Sequence, residues 1–129
     1  MAINPKKKLE ARSKRKVRVR KRVVGTAARP RLCVFRSLKY MYAQIISDET
    51  GTVIASASTK DLTTKGELKV EGKTATPGSA VGAKALGLEL AKIATKMNVK
   101  SVVFDRNGYI YHGRVASVAE GAREGGLEF

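Results

Sequence analysis

The sequence predicts an α/β protein: a mixed four-stranded sheet with strands in the spatial order 3-2-1-4, element order β-β-β-α-β-α, helices packed on the sheet, and a basic N-terminal arm. Three observations predict it. Between residues 32 and 59, three short segments alternate or run apolar and are separated by turn residues, as strands do. From Ser79 the apolar residues recur at helical spacing instead. A further apolar run closed by Asn-Gly follows that helix, and a strand reached through a crossover helix lies parallel to its partner by the right-handed rule. A chain of 129 residues, 43% of them hydrophobic, has enough apolar surface for one modest core. The expected organisation is therefore an arm, residues 1–28, and one folded domain, residues 29–129.

The arm comes first in the chain and carries most of the charge. Of the net +15, residues 1–31 hold thirteen basic residues against one acid, Glu10, whereas residues 32–129 hold thirteen against ten. A nearly balanced body with a basic arm points to a polyanionic partner, most often nucleic acid. No apolar run long enough for a signal h-region or a transmembrane helix follows it. Between Lys6 and Arg22 only Leu9, Ala11, Val17 and Val19 are apolar, too thin a face for a helix lying on a membrane. The chain reads as a mature soluble protein with no membrane partner. From Pro5 to about Lys16 the residues favour helix, but like charges at i and i+4 oppose it, so this stretch is expected to fray alone and to order on a polyanion. The alternating "VRVRKRVV" of residues 17–24 reads as an extended segment or as the end of the helix.

In the body, "RPRLCVFRS" puts Pro30 at a strand start and then runs apolar through Leu32, Cys33, Val34 and Phe35, which predicts a central strand covered on both faces. "YMYAQIISDETG" alternates, with Met41, Ala43 and Ile45 on one face and Tyr40, Tyr42 and Gln44 on the other, and closes in turn residues; the two strands make a hairpin. "TVIASAST" is a third strand whose small residues suit an edge. Residues 60–78 are too polar and too rich in Gly, Thr and Lys for core and read as a long surface loop, to which no role is assigned. Leu86, Leu90, Ile93 and Met97, flanked by Val81, Ala85 and Leu88, form one helical stripe; Thr76 or Ser79 caps its start and Asn98 ends it. "KSVVFDRNGY" is a buried strand with an Asn-Gly turn, and "RVASVAEGAREGGLEF" gives a last helix stopped by Gly125 and Gly126.

The same residues offer little for catalysis. Among the acids of the body only Asp105 sits at a strand end, and it reads as the partner of a nearby arginine or the cap of the turn. Cys33, the one cysteine, lies within an apolar strand and reads as a packed thiol; without a second cysteine there is no intrachain disulfide, in keeping with a reducing cytoplasm. "GSAVGAKALG" has neither a Walker pattern nor a preceding strand. No enzyme activity, metal, cofactor or small-molecule substrate is expected. A nuclease of the ribonuclease-H type would need clustered carboxylates, and a DNA-compacting protein would share the arm but not a preference for one folded RNA.

Binding is what remains. Arg29, Arg31, Arg36 and Lys39 carry the positive charge onto the sheet, where Tyr40, Tyr42 and Gln44 supply stacking and amide groups; charge for phosphates beside aromatic groups for bases suits structured RNA. Cross-strand packing under a helix is the alternative for the tyrosines. In "DRNGYIYHGR", Arg106, Tyr109, Tyr111, His112 and Arg114 crowd around a turn and a helix start whose free N–H groups also suit a phosphate.

The stretches "GTAARPRLCVFRS", "YAQIISDE", "VVFDRNGYIYHGRV" and "AREGGLEF", in this order and spacing, resemble the bacterial large-subunit ribosomal protein eighteen family, which binds 5S ribosomal RNA. The likeness runs from about Arg12 to Phe129. It implies a ribonuclease-H-like core of the translational-machinery type without nuclease activity, a basic arm that orders on RNA, and a role in attaching 5S rRNA to 23S rRNA in the central protuberance. Ribosomal proteins five and twenty-five are the neighbours it implies. Lys14, Arg15, Lys16, Arg18, Arg20, Lys21 and Arg22 match the family's basic run, with Lys6, Lys7, Lys8 and Arg12 ahead of or within it as further phosphate contacts. Arg29, Arg31, Arg36, Ser37, Tyr42 and Gln44 match its first hairpin. Leu38, Lys39 and Tyr40 stand where the family usually has Asn-Lys-His, so stacking by Tyr40 replaces a polar contact there, and Asn107 stands where glycine is common. The location implied is a ribosome of the bacterial cytoplasm, or of a plastid after processing.

Overall fold

The computed structural model describes residues 5–20, 24–26, 28–66, 68–70, 73–74 and 76–129. A lysine- and arginine-rich helix, α1 (Pro5–Arg20), is followed by three strands, β1 (Arg31–Arg36), β2 (Met41–Ser47) and β3 (Thr52–Ser58). A short helix α2 (Thr59–Thr64) and a two-stranded ribbon, β4 (Lys69–Val70) and β5 (Lys73–Thr74), come next. The chain ends with α3 (Ala80–Lys96), β6 (Val103–Asp105) and α4 (Gly113–Glu124). The main sheet has the order β3-β2-β1-β6, antiparallel except where β6 lies parallel to β1, which is the 3-2-1-4 arrangement read from the sequence. The crossover accounts for the parallel pair: a chain leaving β3 through α3 returns on the far side of β1 running the same way.

One face of the sheet makes the core. Leu32 and Val34 of β1 and Met41, Ala43 and Ile45 of β2 are buried with Leu86, Leu90 and Ala94 of α3 and Val115, Val118 and Ala122 of α4. The β2 alternation holds residue by residue, with Tyr42 half-buried and Gln44 exposed on the opposite face. β1 departs from the expectation of a doubly covered strand. Cys33 is only half-buried and Phe35 is 48% exposed, because α3 and α4 bury their apolar sides on the Leu32/Val34 face.

α3 starts as expected, with Ser79 Oγ accepting from Gly82 N at 3.0 Å, and stops where Asn98 enters the left-handed region at φ 60°. Its buried stripe is made of smaller residues than the leucine pattern suggests. Val81 and Met97 are exposed, while Gly82, Ala83, Gly87, Ala91 and Ala94 are buried. Small residues let α4 approach closely. A Cβ at Gly87 would stand 2.2 Å from the carbonyl oxygen of Val118, and one at Gly121 would stand 2.2 Å from that of Lys84.

Residues 60–78 are more than a surface loop. Ser58 Oγ accepts from Asp61 N to cap α2, and Leu62 and Leu68 are both buried in the main core. Two leucines anchor a segment in which Lys60, Asp61 and residues 63–66 are exposed, and overall polarity concealed them. α1 runs to Arg20, so the alternating stretch from Val17 begins as the end of the helix. Among the described residues no helix is long and apolar enough to cross a membrane.

The glycine contact sets a test of the helix pair. Gly121→Ala should destabilise the protein by about 1–3 kcal/mol in urea unfolding, through overpacking against the Lys84 backbone. Val81→Ala, at an exposed position of the same pair, should change stability by less than about 0.5 kcal/mol.

Candidate nucleic-acid interface

Arg12 and Arg15 are three residues apart, so they share one side of α1, and that side meets the body. Its seat is the Asn-Gly turn after β6. Gly108 has φ 77°, and a Cβ there would stand 2.5 Å from the Arg12 carbonyl oxygen, so only glycine admits the helix this closely. Arg15 Nε donates to Gly108 O at 2.8 Å, and the Arg12 guanidinium lies 4.0 Å from the centroid of the Tyr109 ring. The Arg36 guanidinium lies 4.8 Å from the same centroid, while the Tyr109 hydroxyl bridges the Arg36 backbone, donating to its carbonyl at 3.3 Å and accepting from its N–H at 3.4 Å. Arm, turn and hairpin thus meet at one ring.

Tyr109 was expected to touch RNA directly, and its burial assigns it another task. At 6% exposure, with the Arg12 and Arg36 guanidiniums both at its ring, it holds these cations in place by cation–π attraction. Arg106 braces the turn by donating to Tyr109 O at 2.8 Å. Arg114 reaches the carbonyls of Ser37 and Gly78 at 3.4 and 3.5 Å, joining the hairpin tip to the start of α3. His112 is exposed at the N-cap of α4 and makes no side-chain cap bond. Between α1 and this turn lies a groove of about 770 Å³, lined by Lys7, Lys8, Arg12, Arg15, Arg36 and Arg114 among others.

Arg31 also sits differently from a surface contact. It is 6% exposed and clasped by two carboxylates: Nε and Nη2 donate to the two oxygens of Asp48 at 3.1 Å each, and Nη1 donates to Asp105 at 2.8 Å. Burial works against the guanidinium charge, but the hydrogen bonds to Asp48 and Asp105 outweigh it and hold the Arg31 pKa above its ordinary value. Asp105, fully buried, also accepts from Asn107 N at 2.8 Å, so it both pairs with an arginine and caps the turn, the two roles read for it from the sequence. Burial pushes the neighbouring Cys33 thiol up, as does the negative charge of Asp105, against the pull of Arg31. Half-buried in the strand, the Cys33 thiol is thus held in its neutral form more firmly than an exposed one.

The open face of the sheet carries the second group. Tyr42 stands 6.0 Å from Phe35, ring centroid to ring centroid, at 48°, and these two with Cys33, Ser37 and Gln44 line a shallow cavity of about 430 Å³. Ser37 and Tyr40 close the hairpin turn, Tyr40 N donating to Ser37 Oγ at 3.0 Å, so the Ser37 hydroxyl serves the backbone first. Lys39 is exposed at the tip, beside Leu38 at 98% exposure. Arg29 lies towards the other end of the sheet, its Nε donating to Val102 O at 3.3 Å. Along α1, Lys6, Lys7, Lys8, Lys14, Lys16 and Arg18 are exposed, and Arg20 ends the helix. Lys21 and Arg22 lie outside the described residues. Phe35 is the exposed aromatic that sequence reasoning missed. Its period-2 relation to Cys33, opposite Val34, was the available signal, hidden because the run is apolar on both faces.

Comparison with known proteins assigns the chain's relatives. The family described as ribosomal L18 of archaea, bacteria, mitochondria and chloroplasts matches residues 6–129. The chain is 52% identical over 118 residues to a protein of Bdellovibrio bacteriovorus, covering 92% of this chain and 88% of that one. It is 53% identical over 125 residues to one of Desulfatibacillum aliphaticivorans, covering 97% and 98%. With one of Heliobacterium modesticaldum it shares 51% over 119 residues, covering 92% and 93%. Each of the three relatives bears the name large ribosomal subunit protein uL18.

Replacing Arg31 tests its assignment to the interior. Arg31→Met leaves Asp105 buried without its cation and should lower stability by about 3–5 kcal/mol in chemical denaturation. A loss of RNA affinity with stability unchanged would return Arg31 to the surface contacts.

Proposed function

The chain belongs to the ribosomal L18 family, and from that membership we propose that it is a structural protein of the large ribosomal subunit that binds 5S rRNA and helps attach it to 23S rRNA in the central protuberance. In this reading it works in the ribosome, in the cytoplasm, as a binding protein and not an enzyme, with ribosomal proteins five and twenty-five as neighbours. The observation that supports it most is the junction at Tyr109, where cations of the arm and of the sheet hairpin converge on one ring and form a single basic surface.

Two parts share the work. Residues 1–28 neutralise phosphates along α1 and beyond it, an attraction that follows charge and not sequence. Residues 29–129 present a fixed shape: Phe35, Tyr42 and Gln44 on the open face offer stacking and amide groups, with Arg36 and Lys39 at their border. Release of counterions from the RNA drives association, and the rigid body supplies the preference for one folded RNA.

A salt titration of binding to 5S rRNA, with transfer RNA and a DNA duplex of similar length as competitors, tests this. With about seven phosphates neutralised, the log–log slope should lie near −5 to −6. Preference for 5S rRNA should persist at high salt. Deleting residues 1–22 should flatten the slope while the body stays folded, and Tyr42→Ala should cost about 1–3 kcal/mol of RNA affinity. Equal binding to all three nucleic acids, vanishing together as salt rises, would overturn the reading.

A further inference from the structure

The groove between α1 and the turn after β6 holds positive charge that no lining acid offsets. Among the described residues its walls bring Lys7, Lys8, Arg12 and Arg15 from α1 to Arg36 at the end of β1 and Arg114 in the first turn of α4, and include no carboxylate. Arg12 Nε is buried and makes no hydrogen bond, so its guanidinium is held by the Tyr109 ring and not by an acid. Arg31 is the contrast. There two carboxylates neutralise one buried guanidinium within the protein itself. The Tyr109 ring attracts the Arg12 and Arg36 guanidiniums by about 0.5–2 kcal/mol each, which does not cancel the repulsion among the six cations of the groove. The N-terminus of α4, begun by His112 without a side-chain cap, lines the same groove and adds partial positive charge.

We propose that this groove is a phosphate-binding cleft with one wall on the arm and one on the body, and that a phosphate bound in it fixes α1 against the Asn-Gly turn. The inference rests on the RNA-binding reading for the source of its ligand, a backbone phosphate, and deepens it by naming where that phosphate sits and what it does. The volume of about 770 Å³ falls within the range of roughly 300–1,000 Å³ typical of small-ligand sites, enough for a nucleotide unit but not for a duplex. Because only the docked arm completes the cleft, phosphate binding and arm docking are linked. Each favours the other by the same factor.

The test uses the full chain in low-salt buffer, with inorganic pyrophosphate as the probe and chloride at matched ionic strength as the control. Pyrophosphate should produce saturable NMR shifts at Arg36, Gly108 and Arg114. At ten times its Kd it should slow amide exchange in α1 about tenfold. The pair Lys7→Gln and Lys8→Gln, both at exposed helix positions and so without effect on folding, should weaken pyrophosphate about fivefold; Arg36→Gln should abolish the saturable shifts. Equal effects of chloride, or saturable binding that leaves α1 exchange unchanged, would overturn the proposal. The two readings separate cleanly. If pyrophosphate misses the groove while 5S rRNA still binds, the cleft falls and the RNA reading stands; if pyrophosphate locks α1 but 5S rRNA does not bind, the cleft stands without it.

Discussion

The clasp of Arg31 between Asp48 and Asp105 joins three strands, the chain arriving from the arm and the turn after β6. Arg31 opens β1, Asp48 follows β2, and Asp105 closes β6, so one guanidinium ties three strands at one end of the sheet. Each carboxylate then fixes something further. Asp48 accepts from Gly25 N at 2.6 Å, pinning the chain as it arrives from the arm, and Asp105 accepts from Asn107 N, shaping the turn on which α1 is seated. The parallel pairing of a strand only three residues long and the position of the basic helix therefore share one electrostatic anchor. Taking three charges out of water is costly, and the cost is met by geometry: an arginine fork that addresses one carboxylate with two nitrogens and a second with its third.

Placed beside that anchor, the other arginines divide by what neutralises them. Arg31 is balanced inside the protein. Arg12 and Arg36 are held by an aromatic ring, which positions a cation without removing its charge. Arg106 and Arg114 donate to backbone carbonyls, which fixes their side chains and again leaves the charge in place. The lysines of α1 stay exposed. A graded series results, from a cation neutralised inside the protein to cations exposed to solvent, and it runs outward from the end of the sheet to the arm. Residue type alone does not reveal the grade, since Arg31 and Arg36 are five residues apart on one strand and serve opposite ends of it.

Asymmetry of the sheet has a similar origin. α3 and α4 pair through Gly87 and Gly121 and cover one face, so the chain has spent its two long body helices there. The other face keeps Phe35, Tyr42 and Gln44 available at the border of the basic surface. An apolar strand residue such as Phe35 remains half exposed because its cross-strand neighbour Tyr42 shields part of it.

The sequence did not reveal α2 or the β4–β5 ribbon, but by itself it determined the four strands of the main sheet and the helices α3 and α4 in their order, the 3-2-1-4 arrangement, a helix start at Thr76 or Ser79, the β2 alternation and the presence of a cationic arm. These follow from short-range rules, the period of apolar residues, the φ freedom of particular residues and the handedness of a crossover, which need no knowledge of distant contacts. The tertiary structure alone decided that Arg31 is interior, that the Tyr109 ring is buried against two guanidiniums, that Phe35 on β1 stays half exposed, and that Leu62 and Leu68 reach the core from a polar segment. In each of these cases the outcome depends on residues many positions away. An arginine is buried or free, and a tyrosine enclosed or open, according to which carboxylate or helix the folded chain brings against it, and a one-dimensional pattern of residue types does not record that proximity.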